Sequence, residues 1–369
     1  MPEQLLSVLG TDGAVKKKDR PELSEQDLLL LHGTMVRTRK LDERGMMLHR
    51  QGRIGFYLPS FGEEASCIGS AFAAEQDDVI AQSYRQPGIA LLRGVSPETM
   101  LDNCFGNASD IVKGRQMPVH YSFKDAGMIS ISSPIGTQIV HGAGIAHAMK
   151  IKRDGRVCMT FFGDGATSSN DFHCGLNFAG VSDAPCIFAC INNQWAISVP
   201  LSKQTASLSI AGKGAAYGMP GYLVDGNDVL AVYEATRQAV ERARNGFGPT
   251  LLEFLTFRMG PHSSSDDPSR YRPTELEAEW KAKDPIDRFE AFLVREGLLD
   301  EEAVAAIHAE AEAEMSKAAK AAAAKPPPSV DSMFDDVYAE LPAHLEEQRE
   351  HLRAEGGDHT VDATAAFPL

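Results

Sequence analysis

The chain has 369 residues, 43% of them apolar and 24% charged, enough to bury a sizeable core as one large α/β domain or two smaller ones. Its 51 acidic against 36 basic residues give a formal net charge of −15, which argues against nucleic acid or an anionic membrane as a partner. The first 25 residues carry acids and the run Lys16-Lys17-Lys18, with neither the apolar centre of a signal peptide nor an Arg-rich transit pattern, so a cytoplasmic protein is expected.

Residues 1–24 read as an N-terminal arm, loose over its first 20 positions. Pro21-Glu22-Leu23-Ser24 then introduces a helix, "EQDLLLLHGTMVRTRKLDERGMML", whose apolar residues recur at three- and four-residue spacing. After a Gly- and Pro-punctuated stretch, short apolar runs at 78–83, 156–162, 185–191, 221–226 and 249–258 alternate with helical patterns. That alternation predicts an α/β fold: a mostly parallel sheet with helices on both faces. The uncharged stretch from Ala126 to Met149 is long enough to span a bilayer, but its Ser, Thr, Gln, Pro and His residues point to burial within the protein. Beyond Asp284-Pro285 the pattern is helical, rich in Ala and Glu from 301 to 325, broken at Pro326-Pro327-Pro328, and amphipathic again in "FDDVYAELPAHLEEQREHLR". Residues 25–285 therefore read as the α/β domain and 286–369 as a helical C-terminal region. Cys158, Cys186 and Cys190 fall within strands, and Cys186 and Cys190 would lie roughly 13 Å apart on one face. That is too far for a disulfide or a shared zinc, so buried free thiols are expected.

The segment "RVCMTFFGDGATSSNDFHCGLNFAG" is a buried strand, a Gly163-Asp164-Gly165 turn and a helix with Phe172, Leu176 and Ala179 on one face. Pro185 restarts the chain into "CIFACINN". In a right-handed strand–helix–strand unit both strands finish at one sheet edge, where open α/β folds bind ligands. Asp164 and Asn193, 29 positions apart, meet there. A carboxylate and an amide oxygen with open positions left over suit Mg²⁺ that keeps phosphate oxygens as ligands. Gly163 and Gly165 let the backbone come close to those phosphates. The predicted site is a metal-bridged diphosphate.

"GDG", a helix and a strand ending in "NN" resemble the signature of thiamine-diphosphate enzymes. Together, "FYLPSFGEEASCIGS", "SYRQPG", "GNASDIVKGRQMPVHY", "ISSPIGTQ", "NNQWAIS" and "RMGPHSSSDDPSRYR" resemble the α subunits of branched-chain 2-oxo acid dehydrogenases over roughly residues 25 to 355. The resemblance implies a thiamine-diphosphate-binding fold in which Asp164, Asn193 and the Trp195 carbonyl bind Mg²⁺. Tyr84 and Arg85 would contact the diphosphate, with Gly163, Gly165 and Ala166 beside it. Ser133 and Ile135 would hold the cofactor rings. Ser132, Pro134, Thr137 and Gln138 would ring a structural potassium ion. His262 would assist acyl transfer to lipoyl as a proton donor and acceptor near neutral pH, and Asp266, Arg258 and Arg272 would order its loop. Ser263, phosphorylated in some relatives, reads here as loop polarity. Ile191 departs from the pattern, standing where relatives carry a phosphate-reaching Arg.

The implied reaction is oxidative decarboxylation of a branched 2-oxo acid, with transfer of the acyl group to lipoyl-lysine on a dihydrolipoyl acyltransferase. The implied partner is a β subunit, two α and two β chains sharing the cofactor, because the chain has no second α/β repeat to supply the activating glutamate. Pyruvate or acetoin as substrate is the alternative, with Phe56 and Tyr57 as candidate acyl-pocket residues; a non-catalytic assembly subunit is a further one. Gly142-Ala143-Gly144 lacks the rest of a dinucleotide fingerprint and reads as close helix–sheet packing. His141 and His147, six apart, share no helix face. Glu63-Glu64 reads as a capping or lining pair without a catalytic role.

Overall fold

The computed structural model describes residues 4–15 and 20–355; the Lys16–Lys18 run, the start of the arm and residues 356–369 lie outside the described residues. Helix α1 (Glu25–Arg50) begins at Ser24, whose hydroxyl accepts from Asp27 N while Asp27 accepts from Ser24 N, a reciprocal cap that satisfies two otherwise orphaned donors. Then follow α2 (Glu64–Phe72), β1 (Val79–Ala81), α3 (Pro87–Leu92), α4 (Pro97–Phe105), α5 (Thr137–Lys152), β2 (Cys158–Gly163), α6 (Asn170–Ser182) and β3 (Cys186–Asn192). A small antiparallel pair, β4 (Trp195–Ala196) and β5 (Val199–Pro200), precedes β6 (Gly221–Asp225), α7 (Val229–Arg244) and β7 (Thr250–Leu255). Helices α8 (Thr274–Lys281), α9 (Pro285–Arg295), α10 (Glu301–Ala323) and α11 (Ala343–Ala354) complete the described chain.

The main sheet runs β1-β2-β3-β7-β6, every pair parallel. Its central strands β2, β3 and β7 are buried on both faces, and their side chains divide with period two. Met159, Phe161, Ile187, Ala189 and Ile191 join one core with α1, α2 and α7. Cys158, Phe162, Cys186, Phe188 and Cys190 join the other with α5 and α6. Helices on both faces and a helical C-terminal region match the expected fold class. Helices α9 and α10 share the first core through Phe289, Phe292, Met315 and Ala318. All six cysteines are free, and only Cys174 is exposed.

The arm is not loose where it is described: Leu6 pairs with Val224 at the sheet edge, and Val8 N and Leu9 N both donate to the Asp228 carboxylate at 2.6 Å. Burial of Leu9 beside a free sheet edge holds it down. The uncharged stretch before Met149 turns Ile139, Ala143, Ala146 and Met149 into the core as part of α5. No helix among the described residues is long and apolar enough to cross a membrane.

Candidate active site

Strands β2 and β3 end side by side, with Gly163 opposite Ile191, so Asp164 and Asn193 leave adjacent strands at one sheet edge. Both are buried and both line a cavity of about 370 Å³. The turn after β2 runs tightly under β4: a Cβ at Gly165 would stand 2.8 Å from the Ala196 Cβ, so only glycine fits. Gln204 Nε2 donates to Asp164 Oδ2 at 2.5 Å. Burial pushes the Asp164 carboxyl up to about 6, against the pull of Gln204, Arg258 and Arg85.

Asn193 Nδ2 donates to Glu63 Oε1 at 2.6 Å, which fixes the amide and presents its oxygen. Glu63 is buried, lies 3.7 Å from Arg85 Nε, and is pushed up to about 7 by desolvation. The Trp195 carbonyl accepts from Arg258 Nη1 at 3.0 Å. Arg258 also donates to Ile197 O and the Tyr271 hydroxyl, so it braces the β4–β5 pair. Gln194 and Ile197 flank β4 at φ 70° and 55°; for a β-branched residue such as Ile197 this is a strained conformation, held in place by the surroundings.

Arg85 donates to Pro59 O, and its Nη2 lies 3.1 Å from His262 Nδ1 and 2.9 Å from His262 O. Because guanidinium can only donate, Nδ1 accepts and Nε2 carries the proton. Burial, Arg85 and Arg258 hold the His262 imidazole down to about 3, so the ring is uncharged at neutral pH. The direction runs opposite to the near-neutral titration expected from the sequence: Arg85 contacts the ring and Arg258 acts on it electrostatically, with Asp266 opposing them. The loop around it is ordered as expected. Asp266 Oδ2 accepts from His262 N at 2.7 Å and from the Tyr271 hydroxyl at 2.6 Å, and Arg272 donates to Arg258 O and Gly260 O. Ser263 is buried rather than solvated, its hydroxyl turned to Ser265 N.

Tyr84, Ser133, Ile135, Gly163, Gly165, Ala166, Trp195, Gln138 and Ile191 line the same cavity. Ser132, Pro134 and Thr137 do not; they form the adjoining turn into α5, where Thr137 Oγ1 donates to Pro134 O at 3.1 Å and Gln138 Nε2 to Phe161 O at 2.9 Å. Phe56 lines the cavity, whereas Tyr57 is buried with its hydroxyl on Asp42. His120 went unnoticed in the sequence. Its Nδ1 faces Pro118 O, so Nε2 accepts the Ser133 hydroxyl at 2.8 Å, and its ring stacks on Tyr84. Glu63 was seen only as half of an acidic pair, because its partner Asn193 lies 130 positions away.

The donor set fits a hard divalent cation with a diphosphate: a carboxylate, an amide oxygen and a carbonyl on one side, with Arg85 lining the same cavity. Residues 32–331 match the family model described as "Dehydrogenase E1 component". The chain is 40% identical over 353 residues to the human protein named "2-oxoisovalerate dehydrogenase subunit alpha, mitochondrial", covering 94% of this chain and 79% of that one. It is 41% identical over 348 residues to an Arabidopsis thaliana "2-oxoisovalerate dehydrogenase subunit alpha 1, mitochondrial", covering 94% and 74%. It is 41% identical over 355 residues to a Pseudomonas aeruginosa "2-oxoisovalerate dehydrogenase subunit alpha", covering 94% and 87%. A magnesium-type donor set at the edge of a parallel sheet and a family match over most of the chain lead to one assignment: the chain belongs to the dehydrogenase E1 component family.

Proposed function

We propose that the chain is the α subunit of the decarboxylating component of a branched-chain 2-oxo acid dehydrogenase complex, with thiamine diphosphate held in the cavity beside Arg85 and Asp164. The observation that carries this reading is the delivery of Asp164 and Asn193, by neighbouring strands, into one cavity with an arginine. Thiamine diphosphate supplies the electron sink that makes loss of carbon dioxide from a 2-oxo acid feasible.

The chain's own groups bind and orient. Asp164 Oδ1, the Asn193 amide oxygen and the Trp195 carbonyl would hold Mg²⁺, and Glu63 keeps the Asn193 oxygen presented by occupying its NH₂. The Arg85 fork suits diphosphate oxygens, with Tyr84 beside it. Arg85, which lines the cavity with Ile191, and Arg258, which acts on Asp164, would supply positive charge where the resemblance puts an arginine at Ile191. Ser133 and Ile135 would meet the rings, the turn of Ser132, Pro134, Thr137 and Gln138 would hold potassium, and Phe56 would contact the acyl group. Neutral His262 donates from Nε2 and holds a hydrogen bond rather than a proton reserve. An incoming anion would offset the two guanidiniums and raise its proton affinity.

The same reading includes a β subunit that completes the site in a two-plus-two assembly, a lipoyl-bearing dihydrolipoyl acyltransferase as acyl acceptor, and a cytoplasmic location. Its test is co-expression with a β subunit, followed by turnover of 2-oxoisovalerate against pyruvate. A higher kcat/KM for 2-oxoisovalerate is expected. Preference for pyruvate would replace the substrate, and no turnover by an assembled, cofactor-loaded complex would leave a non-catalytic assembly subunit.

A further inference from the structure

Away from the cavity, His32 of α1, Glu290 of α9 and His308 of α10 converge on one point. His32 Nε2 lies 2.8 Å and His308 Nε2 2.7 Å from the same oxygen, Glu290 Oε1. The three ligand-capable atoms lie within 4.8 Å of one another, and among the described residues this is the one group of three His, Cys, Asp or Glu so arranged. We propose that this triad is a binding site for a divalent transition metal, zinc above all, that fastens the C-terminal helices to α1.

The donor chemistry selects the ion. Two imidazoles and a carboxylate suit zinc and its neighbours, while Mg²⁺ and Ca²⁺ prefer all-oxygen sites. Ligand atoms on a tetrahedral zinc stand about 3.3 Å apart, so small rotamer adjustments turn two shared hydrogen bonds into three metal bonds. The hydrogen-bonded triad satisfies its most buried member incompletely. His32 is wholly buried, yet its Nδ1 has no hydrogen-bond partner. In this state Glu290 holds the proton on Nε2, and the unpartnered Nδ1 is where that proton goes when a cation takes the Nε2 lone pair. The His308 side chain is 34% exposed, which gives an ion a way in and leaves room for water as a fourth ligand. The ligands are 276 positions apart at their extremes, so the ion would tie three helices that meet only through folding.

The test uses the full-length chain, stripped with chelator and kept in excess Mg²⁺ so that the Asp164 site is occupied. Titration with Co²⁺ should give one equivalent with the intense visible bands of a four-coordinate ion. Those bands should survive Asp164→Ala and vanish in both His308→Ala and Glu290→Gln. Zinc at about 100-fold excess over its Kd should raise the unfolding temperature by about 3–5 °C in wild type and not in His308→Ala. His308 is partly exposed, so its loss leaves a folded chain for comparison. Absence of both the bands and the zinc shift in wild type would overturn the proposal. So would bands that persist in His308→Ala and disappear in Asp164→Ala.

Discussion

A carboxylate as buried as Asp164 is comfortable as an anion only when a cation meets it. With Gln204 as its donor and two arginines acting at longer range, burial still lifts it to about 6, above the ordinary 3.8. Protons and Mg²⁺ therefore compete for the same oxygen. Mg²⁺ affinity should be flat above pH 7 and fall by up to about tenfold per unit as the pH drops below 6. Asp164→Ala should lower thiamine-diphosphate affinity in Mg²⁺ at least about 100-fold, the upper end of what losing an indirect partner costs. Calorimetry across pH checks both, and equal binding by wild type and variant would remove the metal assignment. His262 has the opposite sign. Its folded value of about 3 lies below the ordinary 6.5, so the unfolded chain takes up the proton first. The stability that the neutral ring contributes is whole above pH 6.5 and shrinks as the pH falls. Urea unfolding at pH 7 and pH 5 should show wild type losing about 1–2 kcal/mol more than His262→Asn. The Asp164–Asn193 pair was legible because chain topology alone carries both residues to one edge. Glu63 and His120 were not legible, since a buried acid or imidazole is defined by the partner that meets it: Glu63 meets Asn193 across the fold, and His120 meets Ser133 through irregular loop with no period to read.

Helix α5 shows how an element is fixed by one missing side chain. Gly142 faces β2, where an added Cβ would fall 1.9 Å from Thr160 Oγ1 and 3.1 Å from Thr160 Cβ, whereas nothing lies within 4 Å of the position at Gly144. Gly142→Val should destabilise the isolated chain by about 2–3 kcal/mol through overpacking. Gly144→Ala, on the same helix but exposed, should stabilise it by about 0.5–1 kcal/mol. Denaturant midpoints of the two variants check the pair, and equal effects would contradict the packing account. At this scale local patterns carry most of the information: all five main strands, α1 and α6 stand where apolar runs and spacing put them, and α10 where its Ala- and Glu-rich composition did. Strand order did not follow, because β6 joins the sheet outside β7 although it precedes β7 in sequence. That order depends on which strand edges remain free, as does the pairing of Leu6 with Val224, and no local period encodes it.

At the scale of the molecule, the cavity opens onto apolar residues that none of the described residues covers. Ile135 is 49% exposed, Ile197 56% and Val199 43%; Ile135 and Ile197 line the cavity itself. A monomer gains little by presenting branched side chains beside its own active site, whereas a partner subunit closing over them would bury the rim and exclude water. Under the proposed two-plus-two assembly these residues lie in the interface. Ile197 gives a clean probe, because its left-handed backbone suits Asp better than a β-branched residue. Ile197→Asp should therefore leave the circular dichroism and unfolding temperature of the isolated chain unchanged or slightly improved. In the co-expressed protein it should place an unpaired charge in a buried surface and weaken assembly by about 3–5 kcal/mol, on the order of 100- to 1,000-fold or more. Sedimentation of wild type and variant with the β subunit, across a dilution series, reads this directly. An assembly equally tight in both would put the rim outside the interface, and a wild-type chain that turns over 2-oxo acid alone as a monomer would refute the shared site.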